Sequence, residues 1–183
     1  MVTLQSQRGA TLLEALVTLV IIAFGLLGLV GLQSRLQVSE MEAYQRSQAL
    51  ILLNDMANRI AINRRAAGSY VTATPVGTGN CPVATGSRQQ VDAAEWCNAL
   101  QGAAETSGTS KLGTVIGGRG CVQDLGNNEY LITVAWQGLV PISAPPDGVA
   151  CGKDLYNGDA ASPCKNDLCR RTVTTLVRIG SLT

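Results

Sequence analysis

An uninterrupted apolar segment near the amino terminus constrains this chain more than any other feature. Residues 10–32 contain no proline and a single charged residue, Glu14, and they follow Arg8-Gly9. As a helix they would rise about 35 Å, enough to cross the hydrocarbon layer of a membrane. A carboxylate at the centre of such a span costs roughly 2.5–3.5 kcal/mol, and less near its edge. A simple anchor gains nothing from this cost, so we expect Glu14 to have a binding partner.

Two simpler interpretations of the segment are a plain single-span membrane anchor and a cleaved secretory signal. A secretory signal needs a basic start, an apolar core of about 7–15 residues and a cleavage site with small residues. Here the leader has only Arg8 as a basic residue, the apolar run is longer, and Gly31-Leu32-Gln33 is a poor cleavage site. The sequence therefore favours a retained helix, and a plain anchor remains an alternative.

The same segment resembles the class III signal of type IV prepilins. In that family a short polar leader and a glycine precede an apolar helix, with glutamate at the fifth position after the cut. The resemblance implies that a prepilin peptidase cleaves between Gly9 and Ala10 on the cytoplasmic side and methylates the new amino terminus at Ala10. It assigns assembly to Glu14 and Thr11, with Glu14 recognising the terminal amine of a neighbouring subunit. Most pilins have phenylalanine where this chain has Ala10.

Three glycines at intervals of three, Gly25, Gly28 and Gly31, interrupt the apolar segment. Each costs about 1 kcal/mol relative to alanine inside a helix. Two roles are compatible with this cost. The glycines could let the helix bend or loosen in a packed filament, or they could allow close packing between helices.

The helix is predicted to continue well beyond the apolar segment. The first proline of the chain is Pro75, so residues 10–67 are expected to form one helix of about 84 Å. Arg64 and Arg65 suit a helix end, and Gly68 is predicted to supply a left-handed cap. Past Gln33 the pattern becomes amphipathic, with a predicted buried stripe at intervals of three, four or seven: Leu36, Ala43, Leu50, Leu53, Ala57 and Ile60.

The rest of the chain is predicted to form a small head with one short helix and several strands. Residues 69–90, 105–113 and 141–148 have loop composition, and Val91–Ala104 is a predicted helix. Strong alternation predicts a strand at residues 129–137 after the turn Gly126-Asn127-Asn128, paired antiparallel with a last strand at residues 171–179. Residues 112–116 and 121–125 are weaker strand candidates.

These elements predict an α+β fold with four segments. Residues 1–9 form the leader, 10–32 the transmembrane and assembly helix, 33–67 its amphipathic continuation, and 68–183 the head. The second half of the helix is expected to cover one face of a small antiparallel sheet. The pilin fold has the same arrangement.

Six cysteines lie beyond the long helix, and their even number predicts disulfides in an oxidising compartment. Zinc is disfavoured because no C-x-x-C spacing and no histidine is present. We favour the pair Cys81–Cys97, because it closes a short loop and Cys97 lies in the predicted helix. The pairing of the other four remains open: Cys121, Cys151, Cys164 and Cys169.

Two further stretches resemble PilV-type minor pilins: GLLGLVGLQ at residues 25–33 and NDMANR at residues 54–59. Residues 130–138 and 170–179 are similar in outline. The resemblance implies a low-abundance subunit that primes pilus assembly in the inner membrane and enters the fibre near its tip. Its implied partners are other minor pilins, the major pilin, the prepilin peptidase, the assembly platform and, before assembly, the lipid bilayer.

The implied location is the bacterial inner membrane, with a cytoplasmic amino terminus and a periplasmic head, and later the extracellular pilus. Motility, adhesion or DNA uptake would depend on the protein indirectly. The nearest alternative is a minor pseudopilin of type II secretion, which shares the processing signal.

Other functional classes fit the composition less well. Without histidine a Ser-His-Asp site is impossible, which leaves only the carboxylates of Glu95, Asp124 and Glu129 as candidate catalytic groups, so we expect no enzyme. Residues 68–183 contain eight Lys and Arg against nine Asp and Glu, which gives no basic surface for nucleic acid.

A calcium site is a lesser possibility in an oxygen-rich loop near the carboxyl terminus. The loop lacks the spacing of an EF-hand, and we expect neither a metal nor another cofactor. The candidate ligands are Asp154, Asn157, Asp159, Asn166 and Asp167.

Overall fold

The computed structural model describes residues 8–103, 106–107, 110–111 and 115–180. The chain divides into two compact units, Met1–Met41 and Glu42–Thr183. The order of elements confirms the predicted α+β class, with a long first helix followed by a head of short strands. The elements are α1 (Arg8–Ile62), a 3-10 helix (Arg64–Tyr70), α2 (Arg88–Leu100), β1 (Thr106–Ser107), β2 (Ser110–Lys111), β3 (Arg119–Gly126), β4 (Glu129–Gln137) and β5 (Arg170–Arg178).

The long helix ends five residues earlier than residue 67, the predicted end. After Ile62 the chain tightens into the 3-10 helix, where Ala66 has a non-helical backbone and Ala67 and Tyr70 are buried. Gly68 lies inside this 3-10 helix and has no positive φ, so the prediction of a left-handed cap there was wrong. Burial of Ala67 and Tyr70 in the core explains why the chain turns inward here instead of ending in a glycine cap.

The buried stripe of α1 differs in part from the predicted one. Leu53 and Ile60 are buried as expected and Ala57 is partly buried, but Leu36, Ala43 and Leu50 are exposed. The apolar residues of this half occupy more than one face, so spacing alone selected several from the wrong face. The residues that do pack inward are spaced by three and four: Gln45, Ala49, Leu52, Leu53, Met56 and Ile60.

The main sheet has three antiparallel strands in the order β3-β4-β5. Glu129 lies opposite Arg178 and Gln137 opposite Arg170, which confirms the predicted antiparallel pairing of the last strand. The β3–β4 connection is the predicted turn: Asn127 and Asn128 have φ of 52° and 59°. Two successive residues with positive φ fit the twist of a tight hairpin, and asparagine tolerates this conformation.

Alternation along β4 sends its side chains to two different clusters. Tyr130, Ile132, Val134 and Trp136 join the core formed with α1 and α2. Ala135 points to the opposite face and packs in a smaller cluster with three other residues: Cys121, Cys151 and Tyr156. Side chains therefore cover both faces of β4. Because β4 also lies between β3 and β5, it is the central strand of the head.

Helix α2 begins at Arg88, three residues before the predicted start. The cause is a capping box, in which Ser87 and Gln90 each accept a hydrogen bond from the other's backbone N–H. The helix ends at Leu100 and Gly102 follows with a φ of 85°. Trp96 joins α2 to α1, because its indole Nε1–H donates to the carbonyl of Leu52 at 2.9 Å.

The region between α2 and β3 contains the short antiparallel pair β1–β2, which lies within the predicted polar loop. The predicted strand at residues 112–116 falls partly outside the described residues, since 112–114 are not described. Val115 and Ile116 do not belong to a strand.

Three disulfides connect the loops of the head to its regular elements. Cys81–Cys97, the pair favoured from the sequence, ties the loop after the 3-10 helix to α2. Cys121–Cys151 joins β3 to the long connection between β4 and β5, and Cys164–Cys169 closes a loop directly before β5. A bridge that closes a loop of about 15 residues stabilises a fold by about 3 kcal/mol, mainly by restricting the unfolded chain.

The close approach of Trp96 to β3 requires glycine at position 120. A Cβ atom at Gly120 would lie 2.2 Å from Cη2 of the Trp96 ring, which is fixed by its own hydrogen bond. We expect Gly120→Ala to lower the free energy of unfolding by about 1–3 kcal/mol through overpacking. Guanidinium unfolding of the full chain in detergent, followed by tryptophan fluorescence, measures the change.

The matched control is Gly148→Ala. Gly148 has no positive φ and no atom within 4 Å of an added Cβ. We expect its effect to stay within about 0.5 kcal/mol. Equal unfolding midpoints for the two variants would contradict the packing argument.

Candidate functional site

The described part of the first unit exposes an apolar surface. All residues from 12 to 37 are exposed, among them Leu12 at 65 % and Phe24 at 71 %. The part of α1 that begins at Leu12 is long and apolar enough to cross a membrane. Folded proteins rarely leave so large a contiguous apolar surface in water, so this helix surface is built for lipid or for other protein chains.

Glu14 is the only carboxylate within this apolar surface. Its side chain is exposed, and no hydrogen bond or ion pair joins it to any residue that the structure describes. The neighbouring polar residue Thr18 does have a partner within the helix, because its hydroxyl donates to the carbonyl of Ala15 at 2.9 Å. A carboxylate in apolar surroundings is costly unless a cation pairs with it. Any such cation must come from outside the described part of the chain.

The residues predicted for processing lie at the beginning of the same helix. Gly9, Ala10 and Thr11 have helical backbone from the first turns of α1. The predicted cleavage site therefore precedes Glu14 by little more than one helical turn.

The three glycines leave one side of α1 open. An added Cβ at Gly25, Gly28 or Gly31 would meet no atom within 4 Å. Gly28 and Gly31 line a shallow groove together with Leu32 and Arg35. The helix is continuous through all three positions, so the glycines do not break it.

Glu42 links α1 to two other parts of the head. One carboxylate oxygen accepts from the backbone N–H of Leu139 at 2.7 Å. The guanidinium of Arg171 donates to both carboxylate oxygens at 3.3 Å and also to the carbonyl of Val140 at 2.6 Å. This bridge ties α1 to β5 and to the loop after β4. Sequence analysis missed it, because an acidic residue at an outer helix position gives no sign of a partner 129 residues away.

A second charged cluster lies where the end of α1 meets α2. The guanidinium of Arg59 donates to Asp92 at 2.8 Å and to Glu95 at 2.6 Å. Its Nε also pairs with Asp55, one turn earlier on α1, at 3.0 Å. Asp92 is only 1 % exposed, so its negative charge depends on these partners.

Tyr70 and Arg88 complete the shell around Asp92. The Tyr70 hydroxyl donates to Asp92 Oδ2 at 2.5 Å and accepts from the side-chain amide of Asn63 at 3.1 Å. Arg88 lies 3.0 Å from Asp92 Oδ1. Through these contacts a single buried carboxylate connects α1, the 3-10 helix and α2.

Burial and hydrogen bonding have opposite effects on the pKa of Asp92. Burial by itself would raise the pKa of this carboxyl, but hydrogen bonds from Tyr70 and Arg59 and the positive charges of Arg88 and Arg59 hold it below 3.8. Burial, followed by the hydrogen bond to Asp92, raises the pKa of the Tyr70 hydroxyl. At neutral pH Asp92 is therefore ionised and Tyr70 is neutral. In these states the two groups hold α1, the 3-10 helix and α2 together.

The three carboxylates considered for catalysis take part in separate local structures. Glu95 pairs with Arg59, and Glu129 pairs with Arg178 at 2.6 Å. Asp124 accepts from the backbone N–H of Gly126 at 2.8 Å and so stabilises the hairpin.

The oxygen-rich loop considered for calcium uses its side chains internally. Asp167 accepts from the backbone N–H of Asp154 at 2.9 Å, and its other oxygen lies 3.1 Å from Nε of the buried Arg170. Asn157 accepts from the backbone of Asp167, and Asp159 accepts from two backbone N–H groups that follow it. Within the described ranges no group of three or more histidine, cysteine or acidic side chains is arranged to hold a metal ion. These contacts give the loop oxygens a structural role.

Comparison with protein families matches two adjacent parts of the chain. The model of the prokaryotic N-terminal methylation motif matches residues 4–30, which include Glu14. The Tt1218-like model, described as type IV pilin Tt1218, matches residues 31–105. The comparison with curated proteins returns no match, and neither does the comparison with solved structures.

The two models together account for residues 4–105, from the leader through α2. The remaining strands and the disulfides complete a pilin fold. The two family matches and the fold together support a type IV pilin. In a pilin such a signal implies processing by a prepilin peptidase and assembly with other pilins, and the long apolar helix fits a membrane-anchored state before assembly.

The buried Asp92 predicts a defined loss of stability in acid. Its pKa is lower in the folded chain than the ordinary value of 3.8, so its contribution is complete above that value and disappears as the pH falls through the folded pKa. We expect Asp92→Asn to lower the free energy of unfolding at pH 7 by about 1–3 kcal/mol and to flatten the decline below about pH 4. Unfolding midpoints measured from pH 7 to pH 2 test both effects.

Asp55→Asn is the matched control, because Asp55 pairs with the same Arg59 at the surface of α1. We expect about 0.5 kcal/mol or less for this partly exposed pair within one helix, with the acid decline unchanged. An Asp92→Asn variant that declines in acid as steeply as the natural chain would rule out the assigned role.

Proposed function

We propose that this pilin is a PilV-type minor subunit of the type IV pilus. In this proposal it primes pilus assembly in the inner membrane and then enters the fibre near its tip. The observation that carries the assembly role is the position of Glu14, a carboxylate without a partner among the described residues, inside the matched methylation motif. Motility, adhesion or DNA uptake would depend on the protein through the pilus.

The mechanism of assembly follows from the electrostatics of Glu14. Cleavage between Gly9 and Ala10 creates an amine at the start of the apolar helix, and methylation at Ala10 leaves that amine able to carry a positive charge. In a low-dielectric environment an ion pair between this amine and the Glu14 carboxylate of a neighbouring subunit removes the cost of two isolated charges. A subunit added out of register would leave both charges unpaired, so the pair sets the spacing between helices. Thr11 lies one turn before Glu14 and belongs to the same proposed contact.

The glycines support close assembly of these helices. Open space surrounds the Cβ position at Gly25, Gly28 and Gly31, so a neighbouring helix could approach the backbone there. In this proposal residues 1–9 are the leader, 10–32 span the membrane and later line the fibre core, and 33–183 face the periplasm before assembly.

The support for the PilV type and for a minor role is the sequence resemblance at residues 25–33 and 54–59. A minor pseudopilin of type II secretion is the alternative, since it shares the processing signal. Deletion of the gene distinguishes the two: loss of pilus fibres with normal protein secretion supports the minor pilin, and the opposite result supports the pseudopilin.

The proposed function predicts how the amino terminus is processed. In membranes from a strain with the prepilin peptidase we expect a mature amino terminus at methylated Ala10, and in a strain without it an uncleaved chain. Intact mass and amino-terminal peptide mapping measure both. A cut beyond Leu32, or no cut in either strain, would contradict the prepilin assignment at Gly9 and Ala10.

The proposed function also predicts how the charge of Glu14 affects assembly. Glu14→Gln keeps the shape of the side chain but removes its charge, so we expect normal processing and a reduction in fibre incorporation of about a hundredfold or more, as for a broken buried ion pair. Quantitative immunoblots of sheared pili and of membranes measure the ratio. Glu40→Gln, at an exposed position on the same helix, is the control and should assemble normally. Normal incorporation of Glu14→Gln would exclude the proposed ion pair.

A further inference from the structure

A run of exposed apolar residues follows β4 on the surface of the second unit. No charged residue occurs between Gln137 and Asp147, and three of the residues between them are prolines. All residues from 139 to 144 are exposed, and we call this segment the apolar loop. A contiguous exposed apolar patch usually marks a site of interaction with a protein or a membrane. The large side chains of the apolar loop are those of Leu139, Val140, Pro141 and Ile142.

Several backbone polar groups of the apolar loop are already bonded within the head. The carboxylate of Glu42 accepts from its first N–H, and the guanidinium of Arg171 donates to the next carbonyl. The N–H of Ile142 donates to the carbonyl of Leu168 at 2.8 Å, and Pro141 has no N–H. Unpaired backbone groups are costly in contact with lipid. The bonds therefore lower the cost of bringing the apolar side chains of this loop into an apolar phase.

The apolar loop lies at the end of the second unit where the chain enters that unit. Near the start of β4, the hydroxyl of Tyr130 is 3.6 Å from the Cβ position of Gly68, which follows the end of α1. Just after the end of β4, the N–H of Leu139 donates to Glu42, the first residue of the unit. β4 and the second half of α1 therefore run in opposite directions, and the chain leaves β4 beside the part of this half that comes first in the sequence.

The chain length between the apolar segment and the apolar loop is short. Glu42, which holds the loop, follows Leu32, the last residue of the apolar segment, by ten residues of α1. Ten helical residues rise about 15 Å. The headgroup layer of a bilayer extends about 5–8 Å beyond the hydrocarbon. The residues from Leu139 to Ile142 can cover about 10 Å of the remaining distance, so the loop can reach the headgroups of a bilayer whose hydrocarbon ends at Leu32.

We propose that the apolar loop inserts Val140 and Ile142 into the surface of a phospholipid bilayer before assembly. The proposal rests on the proposed function, in which residues 10–32 span that bilayer. The two side chains are 41 % and 53 % exposed in the head, so each has apolar surface left to bury in lipid. This contact gives the head a second attachment to the membrane besides the helix and limits rotation of the head about it. The attachment is lost when the subunit leaves the membrane for the fibre.

The size and chemistry of the apolar loop favour lipid over a protein partner. A specific protein interface involves about 20–30 residues on each side and a polar rim with hydrogen bonds. The loop offers six exposed residues, no charged side chain and a single hydroxyl, that of Ser143. A lipid surface requires only exposed apolar side chains and few unpaired backbone groups. The loop meets both of these requirements.

The test is photo-crosslinking of the full chain in vesicles of phosphatidylethanolamine and phosphatidylglycerol. p-Benzoylphenylalanine replaces Ile142 in one variant and, in the control, Val83, which is 75 % exposed in the loop before α2. After illumination, intact mass detects a covalent phospholipid adduct. We expect this adduct from position 142 and little or none from position 83. No adduct from position 142, equal adducts from both positions, or a product with a second copy alone would overturn the proposal.

A second substitution links the adduct to insertion of the loop. Val140→Asp places a carboxylate beside the probe at position 142, and a carboxylate is costly even near the edge of a bilayer, so we expect the adduct to fall about threefold or more. The matched control is Leu125→Asp, at an exposed position near the other end of the sheet, which should leave the adduct unchanged. Unfolding midpoints check that both variants fold. An unchanged adduct in Val140→Asp would contradict insertion of the loop.

Failure of this proposal is distinguishable from failure of the proposed function. If the chain is not cleaved after Gly9 and deletion of its gene leaves pili unaffected, the proposed function fails. If cleavage and pili behave as expected, but position 142 gives no phospholipid adduct in vesicles, only the loop proposal fails. The same holds if position 142 crosslinks in cell membranes to another pilin and not to phospholipid.

Discussion

The packing of the second half of α1 against β4 and α2 is the contact on which the rest of the head depends. Met56 and Ile60 are fully buried in the same core as Ile132, Val134 and Trp96. Fully burying each such side chain stabilises the fold by about 1.5–3 kcal/mol. Because this core involves one face of the helix only, β4, α2 and the charged cluster around Asp92 all lie against that face.

Two polar contacts fix how α1 meets the head. Near the start of the second unit, Glu42 holds Arg171 and the loop after β4; near the end of the helix, Arg59 meets the buried Asp92. Apolar packing alone would permit the helix to slide or rotate by small amounts. Charged contacts with defined geometry at both ends of the packed region limit such movement, since a shift would leave a buried charge unpaired.

The sequence predicted well those parts of the fold that depend on local pattern. Strict alternation in 129–137 and the asparagine pair before it determined β4 and its hairpin to the residue. The sequence-based prediction failed where tertiary contacts determine the local structure. The 3-10 helix after Ile62 exists because Tyr70 turns inward to Asp92, and the stripe of α1 includes Gln45, which no scale of hydrophobicity would place in a core.

The functional residues likewise fall into those that a local sequence pattern reveals and those that only the folded structure reveals. Glu14 could be singled out as a candidate from the sequence because one carboxylate in a long apolar run is costly, and its assembly role stays a prediction. Glu42, Arg59 and Asp92 were not singled out as a group, because their partners are far away in the chain and an isolated charge on an amphipathic helix is usually solvated.

The three disulfides have one more consequence, which concerns how the chain matures. The pairs are Cys81–Cys97, Cys121–Cys151 and Cys164–Cys169. The first cysteine is thus bonded to the second, the third to the fourth and the fifth to the sixth, and no loop encloses another. Oxidation of the cysteines in the order in which they leave a ribosome or a translocation channel produces the native set directly. A protein with this topology reaches its final covalent form without shuffling of bonds, and it can be oxidised while its carboxyl-terminal strand is still being delivered.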